Sequence, residues 1–98
     1  MVSIVCVCGM GLGSGLLIRM GAERVLKRNG LTERDFRIEV ADISTARASA
    51  PQIFVTSAEF AALLRDGPAQ VVEVRNFFDE NELEPKLLAA FRRAAGVA

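Results

Sequence analysis

The order of apolar and polar positions predicts a buried strand and then an amphipathic helix near the start of the chain. Residues 2–8 form a run that is apolar apart from Ser3, which is typical of a strand buried on both faces of a parallel sheet. A helical periodicity follows, with Ser14 placed to cap its start and Gly30 placed to close its end. The residues predicted to share its buried face are Leu16, Leu17, Met20 and Val25.

Three shorter segments predict further strands. Residues 36–42 alternate between apolar and polar side chains. One face of this strand is therefore predicted to be exposed to solvent, which places the strand at an edge of the sheet. Residues 52–55 and 69–74 are short segments that predict the third and fourth strands.

Two further helices are predicted in the second half of the chain. Thr56 and Glu59 have the spacing of a capping box, which opens a helix over residues 58–65. The last helix is predicted to begin at Pro85, because proline is favoured in the first turn of a helix. Residues 44–51 are predicted to form a loop. The predicted inward positions of the last helix are Leu87, Leu88, Phe91 and Ala95.

This succession of strands and helices indicates the α/β class. It predicts a parallel sheet flanked by helices on both faces, a Rossmann-like three-layer sandwich. In open sheets of this kind, ligands bind at the carboxyl ends of the strands, where the chain connection changes direction. The loop after the first strand is therefore the candidate site.

Length and composition exclude several classes of function. The 98 residues predict a single domain, and 51% apolar with 24% charged residues is the usual globular mixture. Twelve basic and twelve acidic residues give no net charge, so a nucleic-acid partner is not expected. The N-terminal apolar run lacks a charged segment before it and is too short to span a membrane, which predicts a cytoplasmic protein.

The chain has no histidine and two cysteines, Cys6 and Cys8. A self-contained catalytic set built on histidine is excluded, and two sulfur atoms without histidine leave a zinc site half empty. No metal and no cofactor are therefore expected. Two cysteines are also too few for a disulfide framework, which fits a reducing compartment.

The loop after the first strand contains the candidate catalytic and phosphate-binding residues. Alternating glycines let successive backbone N–H groups turn toward one point, and the N-terminus of the following helix adds partial positive charge. These groups predict a phosphate cradle, in which Cys8 is a thiolate nucleophile that needs no histidine. Cys6 lies deeper in the strand and is predicted to be a core residue. The candidate phosphate-binding residues are Gly9, Met10, Gly11, Leu12, Gly13 and Ser14.

Other interpretations of this loop fit less well. A dinucleotide fingerprint needs G-x-G-x-x-G, whereas the spacing from Gly9 to Gly15 is strictly alternating. A nucleoside-triphosphate loop needs a lysine before its serine or threonine, and the first lysine of the chain is Lys27. A tight turn with an inert buried cysteine remains an open alternative.

The sequence resembles the enzyme IIB components of the bacterial phosphoenolpyruvate-dependent sugar phosphotransferase system. The resemblance covers nearly the whole chain, and it is closest to the ascorbate-type branch of the lactose, cellobiose, galactitol and ascorbate IIB-like proteins. It rests on the Cys-Gly-x-Gly-x-Gly-Ser loop that begins at Cys8, on residues 52–57, and on residues 71–78 and 85–88 with their Val-x-Val-x-Asn segment.

The resemblance implies a phosphocarrier. Cys8 would accept phosphate from a histidine of a IIA component and pass it to a sugar-like substrate, with L-ascorbate or a related compound as the expected one. A membrane IIC component would bring in that substrate, so the protein would lie in the cytoplasm, peripheral to the transporter. The implied fold is a four-stranded parallel sheet with the first strand inside, in the order 2-1-3-4.

Two alternative functions share this fold. A low-molecular-weight tyrosine phosphatase needs Cys-x5-Arg followed by serine or threonine, and Ser14 and Gly15 occupy those last two positions. A regulatory or adaptor module would bind partners without turning over phosphate.

Met10 and Leu12 are candidate partner contacts, whereas Asn76 either borders the site or forms a turn. The basic residues of the first helix are expected to be solvated, although they are candidates for docking an acidic partner: Arg19, Arg24, Lys27 and Arg28.

Overall fold

Four parallel strands form the centre of the molecule. The computed structural model describes residues 1–7, 12–65, 67–75 and 79–96, and in residues 12–15 the backbone alone. The sheet has the order β2-β1-β3-β4, as predicted, and every neighbouring pair of strands is parallel. In chain order the elements are β1 (Val2–Val7), α1 (Leu12–Arg28), β2 (Phe36–Ala41), α2 (Ile43–Ser49), β3 (Ile53–Thr56), α3 (Ala58–Leu64), β4 (Gln70–Glu73) and α4 (Glu80–Ala95).

The sheet is covered on both faces, which confirms the three-layer α/β prediction. Helices α1 and α4 pack on one face, where Ile18, Leu26 and Leu87 are buried against Ile4 and Ile53. Helices α2 and α3 cover the other face, and a smaller apolar cluster joins them to the sheet: Val5, Val7, Ala46, Phe54 and Leu64. Strand β1 is therefore buried on both faces, as its apolar run predicts.

Helix α2 replaces the loop that was predicted over residues 44–51. The Asp42 carboxylate accepts a hydrogen bond from the Thr45 N–H at 2.7 Å and caps the start of the helix. Ala46 is its fully buried residue, and Ala50 ends it with a left-handed φ of 48°. A helix of seven residues with one buried side chain has too weak an apolar stripe to be predicted from periodicity.

Helix α4 begins at Glu80, five residues before the predicted start at Pro85. The Asp79 carboxylate accepts from the Asn81 N–H at 3.0 Å and caps it, while Pro85 lies in the second turn. The added turn is held by Leu83, which is buried in the core. Inside α4 the predicted inward positions Leu87 and Phe91 are buried and Leu88 is half-buried, whereas Ala95 is exposed.

Helix α1 uses a different face from the one predicted. Leu16, Leu17 and Met20 are each exposed by between 44% and 51%, so three of the four predicted inward residues lie in solvent. The buried positions recur at helical spacing: Ile18, Ala22, Val25 and Leu26. The prediction was wrong because this helix has apolar residues on more than one side, and only contact with the sheet selects the side that is buried.

The end of α1 and the start of α3 at Ala58 follow the prediction, whereas the predicted cap of α3 does not form. Gly30 has a φ of 86° and its N–H donates to the Lys27 carbonyl at 3.1 Å, as in a glycine-terminated helix. The capping box of Thr56 and Glu59 does not form, because Thr56 belongs to β3 and Ser57 is the capping residue of α3, without a side-chain cap bond. None of the helices described here is long and apolar enough to cross a lipid bilayer.

Candidate active site

The candidate site lies where the central strand ends and the first helix begins. Strand β1 runs between β2 and β3, and its carboxyl end is at Val7, directly before Cys8 in the chain. The described chain resumes at Leu12 in α1. In open α/β sheets, ligands usually bind at the carboxyl ends of the parallel strands. Val7, the last residue of β1, lies at that end of the sheet. The predicted residues Cys8, Gly9, Met10 and Gly11 lie outside the described residues.

The other predicted phosphate-binding residues form the first turn of α1. Leu12, Gly13 and Ser14 are helical, so the prediction that Ser14 caps the helix from outside is wrong. The first N–H groups of a helix have no partner within it and carry the positive end of the helix dipole. No acidic residue lies in this turn, so no carboxylate competes there for an anion. The phosphate-binding role of these residues stays a prediction.

Cys6 is a core residue, as predicted. Its side chain has no solvent exposure, and it packs in the apolar cluster beneath α1 and α4. Burial raises the pKa of the Cys6 thiol to about 12, while the positive charge of Arg19 acts weakly in the opposite direction. Because the thiolate is the reactive form, Cys6 is chemically inert near neutral pH.

This burial predicts a large difference in reactivity between the two cysteines. At neutral pH we expect iodoacetamide to modify Cys8 rapidly and to leave Cys6 unmodified for as long as the protein stays folded, because Cys6 is buried with a raised thiol pKa, whereas the predicted loop dipoles would lower the pKa of the Cys8 thiol. Peptide mass spectrometry over a time course measures both rates. Equal, slow labelling of the two cysteines would contradict the proposed activation of Cys8, and labelling in denaturant is the control for intrinsic reactivity.

Thr56 is a buried polar residue that the sequence analysis did not assign to the site. It is fully buried at the carboxyl end of β3, and its hydroxyl donates to the Val7 carbonyl at 3.3 Å. The Thr56 carbonyl accepts the Val74 N–H at 2.9 Å, so one residue ties together the ends of β1, β3 and β4. The available signal was a polar residue that ends an otherwise apolar run in a central strand.

This contact holds the Val7 carbonyl, the last one before Cys8 in the chain, so we expect Thr56 to act as a positioning residue for the cysteine. Thr56→Val keeps the side-chain shape and removes the hydroxyl, so we expect about 1 kcal/mol lower stability and a shifted pH profile of Cys8 alkylation. Thr56→Ser keeps the hydroxyl and is expected to restore that profile. A purely structural role would lower stability in Thr56→Val and leave the alkylation profile unchanged.

The basic residues of α1 mostly form ion pairs within the chain. The Arg24 guanidinium lies 3.2 Å from Glu80, and the Arg28 guanidinium lies 3.1 Å from Glu84, which links α1 to the start of α4. Lys27 lies 2.8 Å from Glu23 on its own helix. Arg24 and Arg28 therefore join two helices. Asn76, which was predicted to border the site or form a turn, lies outside the described residues.

The fold defines a three-layer α/β domain in which the candidate loop connects the central strand to the first helix. Comparison with known proteins specifies the class. Residues 3–88 match the family described as the phosphotransferase system lactose/cellobiose-specific IIB subunit. The chain is also similar to the ascorbate-specific phosphotransferase system EIIB component of Mycoplasma pneumoniae, with 28% identity over 85 residues, 86% of this chain and 88% of that protein.

The chain belongs to the IIB family of the phosphotransferase system, since the match covers most of its length. It therefore has a transferase role in sugar phosphotransfer, and IIB components in general work with IIA and IIC partners. The two comparisons name different sugars in their descriptions, so they agree on the class of protein and differ on the substrate.

Proposed function

We propose that this protein is a phosphocarrier in which Cys8 holds the phosphoryl group, with residues 1–98 acting as one IIB domain. The observation that carries the proposal is the placement of Val7, the residue before Cys8, at the carboxyl end of the central strand, with the unpaired N–H groups of α1 following in the chain. A nucleophile at such an edge has both the exposure and the positive dipoles that a phosphoryl group requires.

The reaction consists of two displacements at phosphorus. In the first, the Cys8 thiolate attacks the phosphohistidine of the IIA component, so that a sulfur–phosphorus bond forms as the nitrogen–phosphorus bond breaks and the histidine leaves. In the second, a substrate hydroxyl attacks the phosphocysteine and gives its proton to solvent, so that an oxygen–phosphorus bond forms as the sulfur–phosphorus bond breaks and the thiolate is released. Backbone N–H groups stabilise the charge on the three phosphoryl oxygens in both steps, and neither step requires a metal ion or a cofactor.

The composition of the loop supports a carrier over a phosphatase. No lysine or arginine occurs between Cys8 and Ser14, and Ser14 stands where the phosphatase signature needs arginine. A guanidinium there would hold the phosphoryl group by two charge-assisted hydrogen bonds and favour its hydrolysis. A carrier instead needs a phosphocysteine that remains reactive toward its acceptor.

An exposed apolar surface near the start of α1 supports a protein partner. Leu17 and Met20 are 44% and 51% exposed, and they lie within about two helical turns of Leu12. Large apolar side chains that stay in solvent beside a reactive loop are typical of contacts to another protein. We assign this surface to the IIA component. The IIC component, which lies in the membrane, would place the protein at the cytoplasmic side of the transporter.

The substrate we propose is L-ascorbate or a related sugar-like compound. The support is the similarity to an ascorbate-specific EIIB component, which extends over most of both chains. Discrimination between ascorbate and a disaccharide such as cellobiose requires uptake or phosphorylation assays with the cognate IIC component.

The test is intact-protein mass spectrometry after incubation with phosphoenolpyruvate, the general phosphotransferase proteins and a cognate IIA component. We expect one added phosphoryl group on the wild-type protein, and none when the IIA component is omitted. No addition, with the IIA component shown to be phosphorylated, would contradict the carrier and favour the adaptor. Steady hydrolysis of p-nitrophenyl phosphate would favour the phosphatase.

A further inference from the structure

Within the described part of the chain, β2 is the outermost strand on its side of the sheet, and its outer edge presents backbone groups without a partner strand in a regular pattern. Val2 lies opposite Phe36, and its N–H donates to the Asp35 carbonyl at 3.0 Å. In a parallel ladder this pattern directs the backbone groups of Arg37 and Glu39 toward β1. The residues whose N–H and C=O groups point to the open edge are Phe36, Ile38 and Val40.

The side chains of β2 divide into a charged face and an apolar face. Arg37 and Glu39 are exposed on one face, and their charged groups are 2.6 Å apart. On the other face Phe36 and Ile38 are buried and Val40 is half-buried beside them. The sequence of the strand is therefore nearly symmetric about Ile38: a charged residue lies next to it on each side, Arg37 and Glu39, and an apolar residue follows on each side, Phe36 and Val40.

We propose that β2 pairs antiparallel with β2 of a second copy of this chain, across a two-fold axis at Ile38. In this register, residues whose backbone groups point outward lie opposite each other. Ile38 of one copy lies opposite Ile38 of the other, and Phe36 of each copy lies opposite Val40 of the other. The remaining contacts join Arg37 of each copy to Glu39 of the other. Opposite charges directly across an antiparallel pair stabilise it, and like charges there destabilise it.

The neighbouring registers lack this complementarity. A shift by one residue would place the outward-facing backbone groups of one copy opposite residues of the other copy whose backbone groups already bond to β1, such as Arg37 and Glu39. A shift by two residues in one direction would bring two Arg37 side chains together, and in the other direction two Glu39 side chains. Charge and hydrogen bonding therefore select the same register, which is the physical reason for choosing a second copy as the partner.

Both sides of this edge have room for the second copy. A groove of about 620 Å³ lies between α1 and β2, with Leu16 and Arg19 on the helix side and Phe36 and Ile38 on the strand side. On the opposite face a smaller groove of about 220 Å³ lies between Arg37, Glu39 and Pro51. An edge strand with space on both faces is open to strand addition.

The proposed dimer is a continuous eight-stranded sheet. Its two halves run in opposite directions, so the carboxyl ends of the two β1 strands lie at opposite ends of the dimer. The proposal is independent of the role of Cys8. A failure to dimerise leaves the carrier function intact, and a failure to accept phosphate leaves the dimer intact.

Charge reversal provides a matched set of variants for sedimentation velocity over a range of protein concentrations. Wild-type protein is expected to reach twice the monomer mass as concentration rises. Glu39→Arg or Arg37→Glu alone makes the facing charges alike and is expected to weaken dimerisation about tenfold or more. Mixing these two single variants, or combining both changes in one chain, restores opposite charges and is expected to restore the dimer.

Hydrogen exchange of individual amides locates the contact on the same strand. The Arg37 and Glu39 amides bond to β1 and are expected to be protected at every concentration, whereas the Ile38 and Val40 amides gain protection only as the dimer forms. A wild-type protein that stays monomeric at its highest soluble concentration overturns the proposal. Dimerisation that is equally strong in both single variants overturns it as well, because association then uses another surface.

Discussion

Phosphoryl acceptance is expected to fall to an undetectable level when Cys8 is replaced by serine. A serine hydroxyl needs a neighbouring base to act as a nucleophile, and the chain contains no histidine to supply one. The thiolate of Cys8 is the nucleophile without such a base in the proposed mechanism. Intact-protein mass spectrometry after incubation with the phosphorylated IIA component measures the change, with complete loss as the expected result.

Cys6→Ala is the matched control for this experiment. Cys6 is fully buried and its thiol has a pKa raised to about 12 by burial, so its removal is expected to leave phosphoryl acceptance unchanged. Binding of Cys8→Ser to the IIA component is measured in parallel, because a carrier variant keeps its docking surface. Phosphate acceptance by Cys8→Ser, or its loss in Cys6→Ala, would contradict the assignment of the carrier residue.

The largest loss of stability is expected from Leu87→Ala. Leu87 has no solvent exposure and lies in the main apolar cluster between α4 and the sheet. Deleting a buried leucine side chain removes its transfer free energy and leaves a cavity, which together cost about 2–5 kcal/mol. A domain of this size has about 5–15 kcal/mol of stability, so the variant loses a large part of it. Urea unfolding followed by circular dichroism measures the difference.

Leu63→Ala is the control for this substitution. Leu63 also lies in a helix, α3, but its side chain is 49% exposed. The same chemical change there is expected to alter stability by less than about 0.5 kcal/mol, because little apolar surface is returned to water. A loss in Leu63→Ala as large as that in Leu87→Ala would contradict the difference in burial between the two side chains, on which this prediction rests.

The accuracy of the sequence predictions differed between strands and helices. The bounds of strands β1 and β2 were predicted to within one residue. A fully buried strand and an edge strand with one solvent-exposed face produce distinct patterns of apolar positions. Helix α2 was missed, because its cap at Asp42 and its single buried residue, Ala46, leave little periodicity. The predicted start of α4 is five residues late, because proline favours the first turn of a helix and Pro85 lies inside this one.

The candidate site shows the same division. The glycine loop and Cys8 remain a prediction from sequence, because their chemistry depends on residue types and spacing that can be read along the chain. Thr56 was found only in the structure, where its hydroxyl reaches the Val7 carbonyl. The two residues are 49 positions apart, and no local pattern indicates that contact.

Local patterns along the chain were enough to predict the α/β class, the buried central strand, the edge strand with one solvent-exposed face and the candidate nucleophile, because burial and turn chemistry depend on the spacing of nearby residues. The buried face of α1, the start of α4 and the residue that supports the end of β1 depend on contacts between distant parts of the chain. Leu16, Leu17 and Met20 have the apolar character of core residues, yet they are exposed because the sheet contacts another side of their helix. That selection depends on distant strands, so it becomes visible only when the chain is folded.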